Sequence, residues 1–137
     1  MNMHTLDTHS HKHTKYDLAT FSVRTSKRCR TDIGLAVNLV AAIQGVSPED
    51  ILTSSRSQAH VALARQLAMY MAHVALGYSL TRTGQLFKRD RTTVSHACGR
   101  IEDMRDDANF DSALNSLEAV LNFAATNQSA YAGRSTL

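Results

Sequence analysis

Between Val61 and Ala75 the apolar residues Val61, Ala64, Leu67, Ala68, Met71 and Ala75 recur three and four positions apart. That interval stacks them on one face of a helix. It predicts the longest helix of the chain, from about Ser57 to Leu76, with Gly77 as its stop. Its alanines let neighbours approach closely, so the helix is expected at the centre of a helical domain. One proline and six glycines in 137 residues supply too little turn chemistry for an all-β fold. No tryptophan is present, and phenylalanine and tyrosine number four each, so the core should be Ala/Leu/Val/Met-based. The expected architecture is all-α: one compact bundle of about six helices.

The other elements follow from caps and period. Thr31 or Asp32 can cap a helix carrying Ile33, Val37, Leu39, Val40 and Ile43, ended by Gly45. Ser47 precedes Pro48 at the first position of a short helix, with Asp50 three residues on from Ser47 as in a capping box. Thr53–Ser57 is polar and predicts a loop. Ser79 caps a helix from Leu80 to Phe87 anchored by Leu80, Leu86 and Phe87. A further helix, Thr92 to about Arg105, buries Val94, Ala97, Cys98, Ile101 and Met104 and turns Thr93, His96 and Arg100 outward. Asp111 caps a last helix with Leu114, Leu117, Val120, Leu121 and Phe123. Residues 1–30 have no helical period and predict a flexible, basic, His-rich arm. The helical domain spans 31–126, and 127–137 a loose tail.

Charge is segregated. Residues 56–100 hold seven Lys/Arg against Asp90 alone, whereas 101–137 hold two against six acids. A cationic block of that kind marks a polyanion-binding face. No run approaches the ~20 apolar residues of a membrane span, and the N-terminus lacks a signal-peptide core, so a cytoplasmic location is expected. Cys29 and Cys98 are expected as reduced thiols.

The block peaks at Gly77–Ile101, where a short helix, a charged turn (Lys88, Arg89, Asp90, Arg91) and a second helix predict a helix-turn-helix. A helix N-terminus points N–H groups at phosphates. Thr92 and Thr93 suit a cap, a phosphate contact or a base edge, and Arg91 sits where a recognition helix enters the groove. Asp90 among cations fits an acceptor from a base amino group, an orienter of an arginine, or a simple helix cap. Catalysis is not expected: His96 and Cys98 lie two apart on different helix faces, and no glycine-rich phosphate loop or paired carboxylate is present. His4, His9, His11 and His13 lack a partner cluster, so no specific metal site is expected; no cofactor is expected either. Arg24, Lys27, Arg28 and Arg30 suit either a DNA-tracking arm or an ordinary linker.

Arg89-Asp90-Arg91-Thr92-Thr93-Val94-Ser95-His96-Ala97 resembles the R-D-H-T-T-V-x-H-A signature of the C-terminal DNA-binding domain of the bacterial replication initiator DnaA. Ala64–Met69 resembles the family's P-R-Q-(M/I)-A-M helix, Ser79-Leu80 with Gly84–Phe87 its S-L-P-E-I-G-D-A-F-G-G segment, and Asp50-Ile51-Leu52 followed by Arg56-Ser57 its D-L-L-S-K-R-R-S-R loop. The resemblance covers Asp50 to Glu102. It implies an all-α domain that reads a DnaA box, with the helix-turn-helix in the major groove and an arginine of the upstream loop in the minor groove. By position, Arg56 would be that arginine. Asp90, Thr92 and Thr93 would read bases, and Arg65 and Lys88 would approach the backbone; Thr81, Arg89, Arg91 and His96 complete the expected DNA-facing set.

Departures are specific. Arg91 replaces the family histidine, Thr81 its proline, and His73 a lysine of the long helix, while the turn before the signature is one residue shorter. No G-x-x-x-x-G-K-[ST] sequence is present, so the expectation is a DNA-binding module without the initiator's ATPase and without bound nucleotide. Its partner would be double-stranded DNA, and its role a regulator of replication initiation or transcription. The alternative is an adaptor that docks on replication or transcription proteins.

Overall fold

The computed structural model describes residues 27–53 and 58–132. Six helices follow one another: α1 (Lys27–Gln44), α2 (Pro48–Leu52), α3 (Ala59–Tyr70), α4 (Leu80–Phe87), α5 (Arg91–Met104) and α6 (Ala108–Ala132). No strand occurs among the described residues. None of the described helices is long and apolar enough to cross a membrane.

The central helix is α3, which packs against α1, α2, α4 and α5. Its residues Ala64, Leu67, Ala68, Met69 and Tyr70 are buried, and small alanines on the buried face permit that crowding. Ile33, Ala36, Val37 and Val40 of α1, Ile51 of α2, Leu86 and Phe87 of α4, Val94 and Ile101 of α5, and Leu114 and Leu121 of α6 complete the core.

The α3 path does not end as a plain α-helix. Met71–Ala75 widens into a π-helical turn, with Leu76 N–H donating to Met71 five residues back at 3.0 Å. The wider turn shifts the helical phase and leaves Val74 45% exposed. Gly77 then takes φ +76°, the left-handed conformation expected of the stop. His73 Nδ1 donates to the Tyr78 carbonyl at 2.6 Å and holds the exit.

The predicted caps of α2 and α4 are present: Ser47 Oγ accepts from Asp50 N and Ser79 Oγ from Arg82 N, each at 3.1 Å. Other boundaries differ. α1 begins at Lys27, because the run Lys27–Arg30 contains no helix breaker, and Asp32 is buried inside the helix instead of capping it. Ile43, expected in the core, is 63% exposed. The longest helix is α6, with 25 residues, and not the central one. Its cap is Asp107, whose Oδ1 accepts from Phe110 N at 2.9 Å, and not Asp111. Alanines at 124, 125, 130 and 132 carry α6 past the end expected at 126. Of its expected apolar residues, Val120 and Phe123 are exposed.

Two of the acids that crowd the C-terminus of α5, the unfavourable end of its dipole, have partners elsewhere. Asp107 serves the N-terminus of α6. Glu102 accepts from the hydroxyl of buried Tyr70 at 2.7 Å. Arg105 donates to the same hydroxyl (2.7 Å), to Asp111 (2.6 Å), to Glu118 (3.0 Å) and to Asn115. This cluster ties α3, α5 and α6 together. Burial first, and the Glu102 bond second, push the Tyr70 phenol up to about 12.

Candidate nucleic-acid interface

The junction of α4 and α5 is built on Gly84. After Phe87, Lys88 turns left-handed at φ 53° and the chain closes a Schellman motif: Arg89 N donates to Gly84 O at 2.8 Å, and Lys88 N to Gln85 O at 3.4 Å. The Arg89 carbonyl then presses on Gly84, where an added Cβ would stand 2.5 Å from that oxygen. Only glycine fits there, and so the two helices meet through so short a turn. The left-handed Lys88 is the residue at which this motif turns the chain out of the helix. The family segment carries glycines after the phenylalanine, whereas here a lysine takes the strained conformation.

Asp90 follows in extended conformation as the N-cap residue of α5, but its carboxylate makes no capping hydrogen bond. The simple-cap reading of this acid is therefore not what the side chain does. The first N–H groups of α5 have no intrahelical acceptor, and the Asp90 side chain does not take them. On α5, Val94, Ala97 and Ile101 face the core, while Arg91, Thr92, Thr93, His96 and Arg100 are exposed. A shallow concavity runs over the turn, lined by Thr81, Gln85, Lys88, Asp90, Arg91 and Thr93 among others. Asp90 is the sole acid in it. A second depression, flanked by Gln66, Arg89, His96 and Arg100, continues it along α3 and α5. The two depressions thus bring Thr81, Lys88, Arg89, Asp90, Arg91, Thr93 and His96 together, with Arg65 at the floor of the second; Thr92 is exposed next to them and lines neither.

Arg65 is placed differently. It is 7% exposed, with Nε donating to Ile51 O (2.9 Å) and Nη2 to Asp50 O (2.7 Å). Its guanidinium lies on the carbonyl end of α2. Burial, and then the nearby Arg89 charge, lower its pKa from the ordinary arginine value. The sequence reading set Arg65 off the apolar stripe; the packing of α2 over α3 encloses it. Arg56, His4, His9, His11, His13 and Arg24 lie outside the described residues, and Lys27, Arg28 and Arg30 fall within α1, with no side-chain positions described. Among the described residues no cluster of three or more potential metal ligands occurs. Cys98 is half-buried, and burial raises its thiol pKa; it faces away from the exposed His96.

Two features escaped the sequence. The Tyr70–Glu102–Arg105 cluster joins residues far apart in the chain, and no local signal announces it. The left-handed Lys88 had none either, since lysine is not the residue type that marks such a position.

Residues 33–101 match the family model described as the bacterial dnaA protein helix-turn-helix. The chain is 42% identical over 73 residues to the chromosomal replication initiator protein DnaA of Pseudothermotoga lettingae, covering 53% of this chain and 16% of that protein. It is 45% identical over 69 residues to the protein of the same name from Clavibacter sepedonicus, covering 50% and 14%. With that of Crocosphaera subtropica it shares 34% identity over 96 residues, covering 69% and 21%. The chain therefore spans between 14% and 21% of the length of these relatives. The matched segment runs from α1 through α5 and contains the Gly84 turn, and on that ground the chain belongs to the bacterial DnaA helix-turn-helix family, a DNA-binding one.

Proposed function

We propose that the protein binds double-stranded DNA sequence-specifically at DnaA-box-like sites and regulates replication initiation or transcription there. The observation that carries this is the exposed leading face of α5 within a matched family domain: Arg91, Thr92, Thr93 and His96 point outward beside an Asp90 carboxylate not used by the helix. In the major groove, Arg91 would pair with guanine and Asp90 would accept from a cytosine or adenine amino group. Lys88, Arg89 and Arg100 would follow phosphates, with the α5 N–H groups assisting. Arg56, from the upstream connection, would enter the minor groove. Because Arg91 stands where the resembled signature has histidine, the preferred base under it should differ from the one that signature reads.

Selection of bound duplexes from a random pool tests the activity and gives the site. The expected result is one enriched motif. Its affinity should fall with salt at a log–log slope of about −5 to −7, for about six to eight phosphates at roughly −0.9 each. No binding to any duplex at low salt would overturn the reading. It would favour the second one, an adaptor for replication or transcription proteins, for which Val120 (52% exposed) and Phe123 (72% exposed) offer an apolar surface on α6.

A further inference from the structure

The solvent side of a surface helix ordinarily carries charge, and that of α6 does not. Between Ser112 and Ala132 the sequence has one charged residue, Glu118, and Arg105 holds its carboxylate at 3.0 Å. Val120 and Phe123 stand out from the same helix, 52% and 72% exposed. They belong to a series. Asn109, Ala113, Ser116, Val120, Phe123 and Asn127 follow at intervals of four, three, four, three and four, the spacing of a seam between two helices. The first five are exposed and Asn127 is half-buried. The series is also complementary to itself about position 118. Turned end for end, Phe123 falls opposite Ala113, Val120 opposite Ser116, and Asn127 opposite Asn109. Each large side chain then meets a small one, and each amide meets an amide. Asn109, Ser112, Ala113 and Ser116 outline a four-residue hole of the kind that receives a side chain such as Phe123.

We propose that α6 pairs antiparallel with α6 of a second copy of this chain, through this seam and about a twofold axis at position 118. Charge favours a like partner: a charged face turned on its own copy sets like charges together, whereas this one brings none. It also offers no cation to a polyanion. The Asn109–Asn127 pairs fix the register, as a polar residue in a helical seam does. One phenylalanine and one valine from each copy are little against the ~800 Å² per partner of a stable complex, so the association is weak and concentration-dependent. No residue lining the two depressions at the α4–α5 junction belongs to α6, and the pairing stands apart from the DNA-binding reading.

Sedimentation velocity on the full chain, without DNA, tests the pairing. The wild-type mass should rise from one chain toward two between about 5 and about 500 µM; one chain throughout overturns the proposal. Phe123→Glu, which takes away the large side chain, and Ala113→Lys, which fills the hole, should each keep the wild-type urea midpoint and stay single over that range. Mixed, the two should pair again to within about tenfold of the wild-type affinity, because the introduced carboxylate and ammonium face each other while the second Phe123–Ala113 contact is kept. A mixture of folded variants that stays single overturns the antiparallel register. A dimer that survives Phe123→Glu has its contact elsewhere and overturns the seam. If either charged variant unfolds, Val120→Asn decides the matter: it should weaken the dimer about tenfold, and an unchanged dimer overturns the proposal.

Discussion

Gly84→Ala separates helix propensity from packing, because the two act in opposite directions. Alanine in a helix interior is worth up to about 1 kcal/mol over glycine. At Gly84, however, the new Cβ would lie 2.5 Å from the Arg89 carbonyl oxygen, with Arg91 N and Asp90 C at 3.4 Å. Contacts under 3.0 Å essentially never occur for a real Cβ, so main chain must move by at least about half an ångström. The obstacle cannot swing aside, since Arg89 N is bonded to Gly84 O at 2.8 Å. Overpacking costs about 1–3 kcal/mol, and weakening that bond adds about 1 kcal/mol. After subtraction of the propensity gain, the expected loss is about 1–3 kcal/mol. Gly99 is the internal control: it lies within α5 with nothing within 4 Å of its added Cβ. Gly99→Ala should stabilise by about 0.5–1 kcal/mol. Urea unfolding midpoints at constant m measure both. If Gly84→Ala is stabilised to the same degree as Gly99→Ala, the close-approach argument fails.

Lys88→Gly relieves a left-handed non-glycine residue and should gain about 1 kcal/mol in stability, yet weaken duplex binding through the lost cation, with a shallower salt slope; thermal melts and band shifts on the same preparation test the split. Asp90→Ala removes no capping bond, so it should change stability by less than about 0.5 kcal/mol while relaxing base preference in the pool selection; a cap-sized loss of about 1 kcal/mol would restore the cap role. Tyr70 titrates at about 12 in the fold against about 10 unfolded. Its contribution is therefore complete below pH 10 and is lost as pH rises toward 12, by roughly 2–3 kcal/mol. Tyr70→Phe should flatten that decline in pH-dependent unfolding. Thr83 is fully buried with its hydroxyl unpaired, so near-isosteric Thr83→Val should be neutral to stabilising by about 1 kcal/mol; destabilisation would reveal a partner for the hydroxyl.

The local parts of this molecule were legible from its sequence. Ser47 and Ser79 cap because a hydroxyl three residues before an open N–H reaches it whatever surrounds the helix. The buried and exposed faces of α5 follow from spacing alone. What could not be read is tertiary. Asp32 and Asp111 are plausible caps by type, but α1 propagates past the first, and the second is drawn to Arg105 while Asp107 caps. Arg65 lies where a surface cation is expected, and only the packing of α2 on α3 buries it. The π-helical turn at Met71–Ala75 disturbs the phase of a period that looked regular, which moved Val74 outward. Of the set expected to face DNA, the residues on α4, the turn and α5 are all at the junction surface; Arg65 lines the depression beside them while its guanidinium is held on α2, and Arg56 lies outside the described residues.

The Arg105 cluster also bears on how binding isotherms are to be interpreted. The side chains of Arg105, Asp111 and Glu118 are 23%, 36% and 21% exposed, so α6 is fastened in part by charges that mobile ions reach. Raising salt to strip the protein from a polyanion loosens this fastening in the same titration. The slope counts phosphates only over the salt range in which the protein stays folded, and the unfolding free energy followed over the same salt series marks where that range ends.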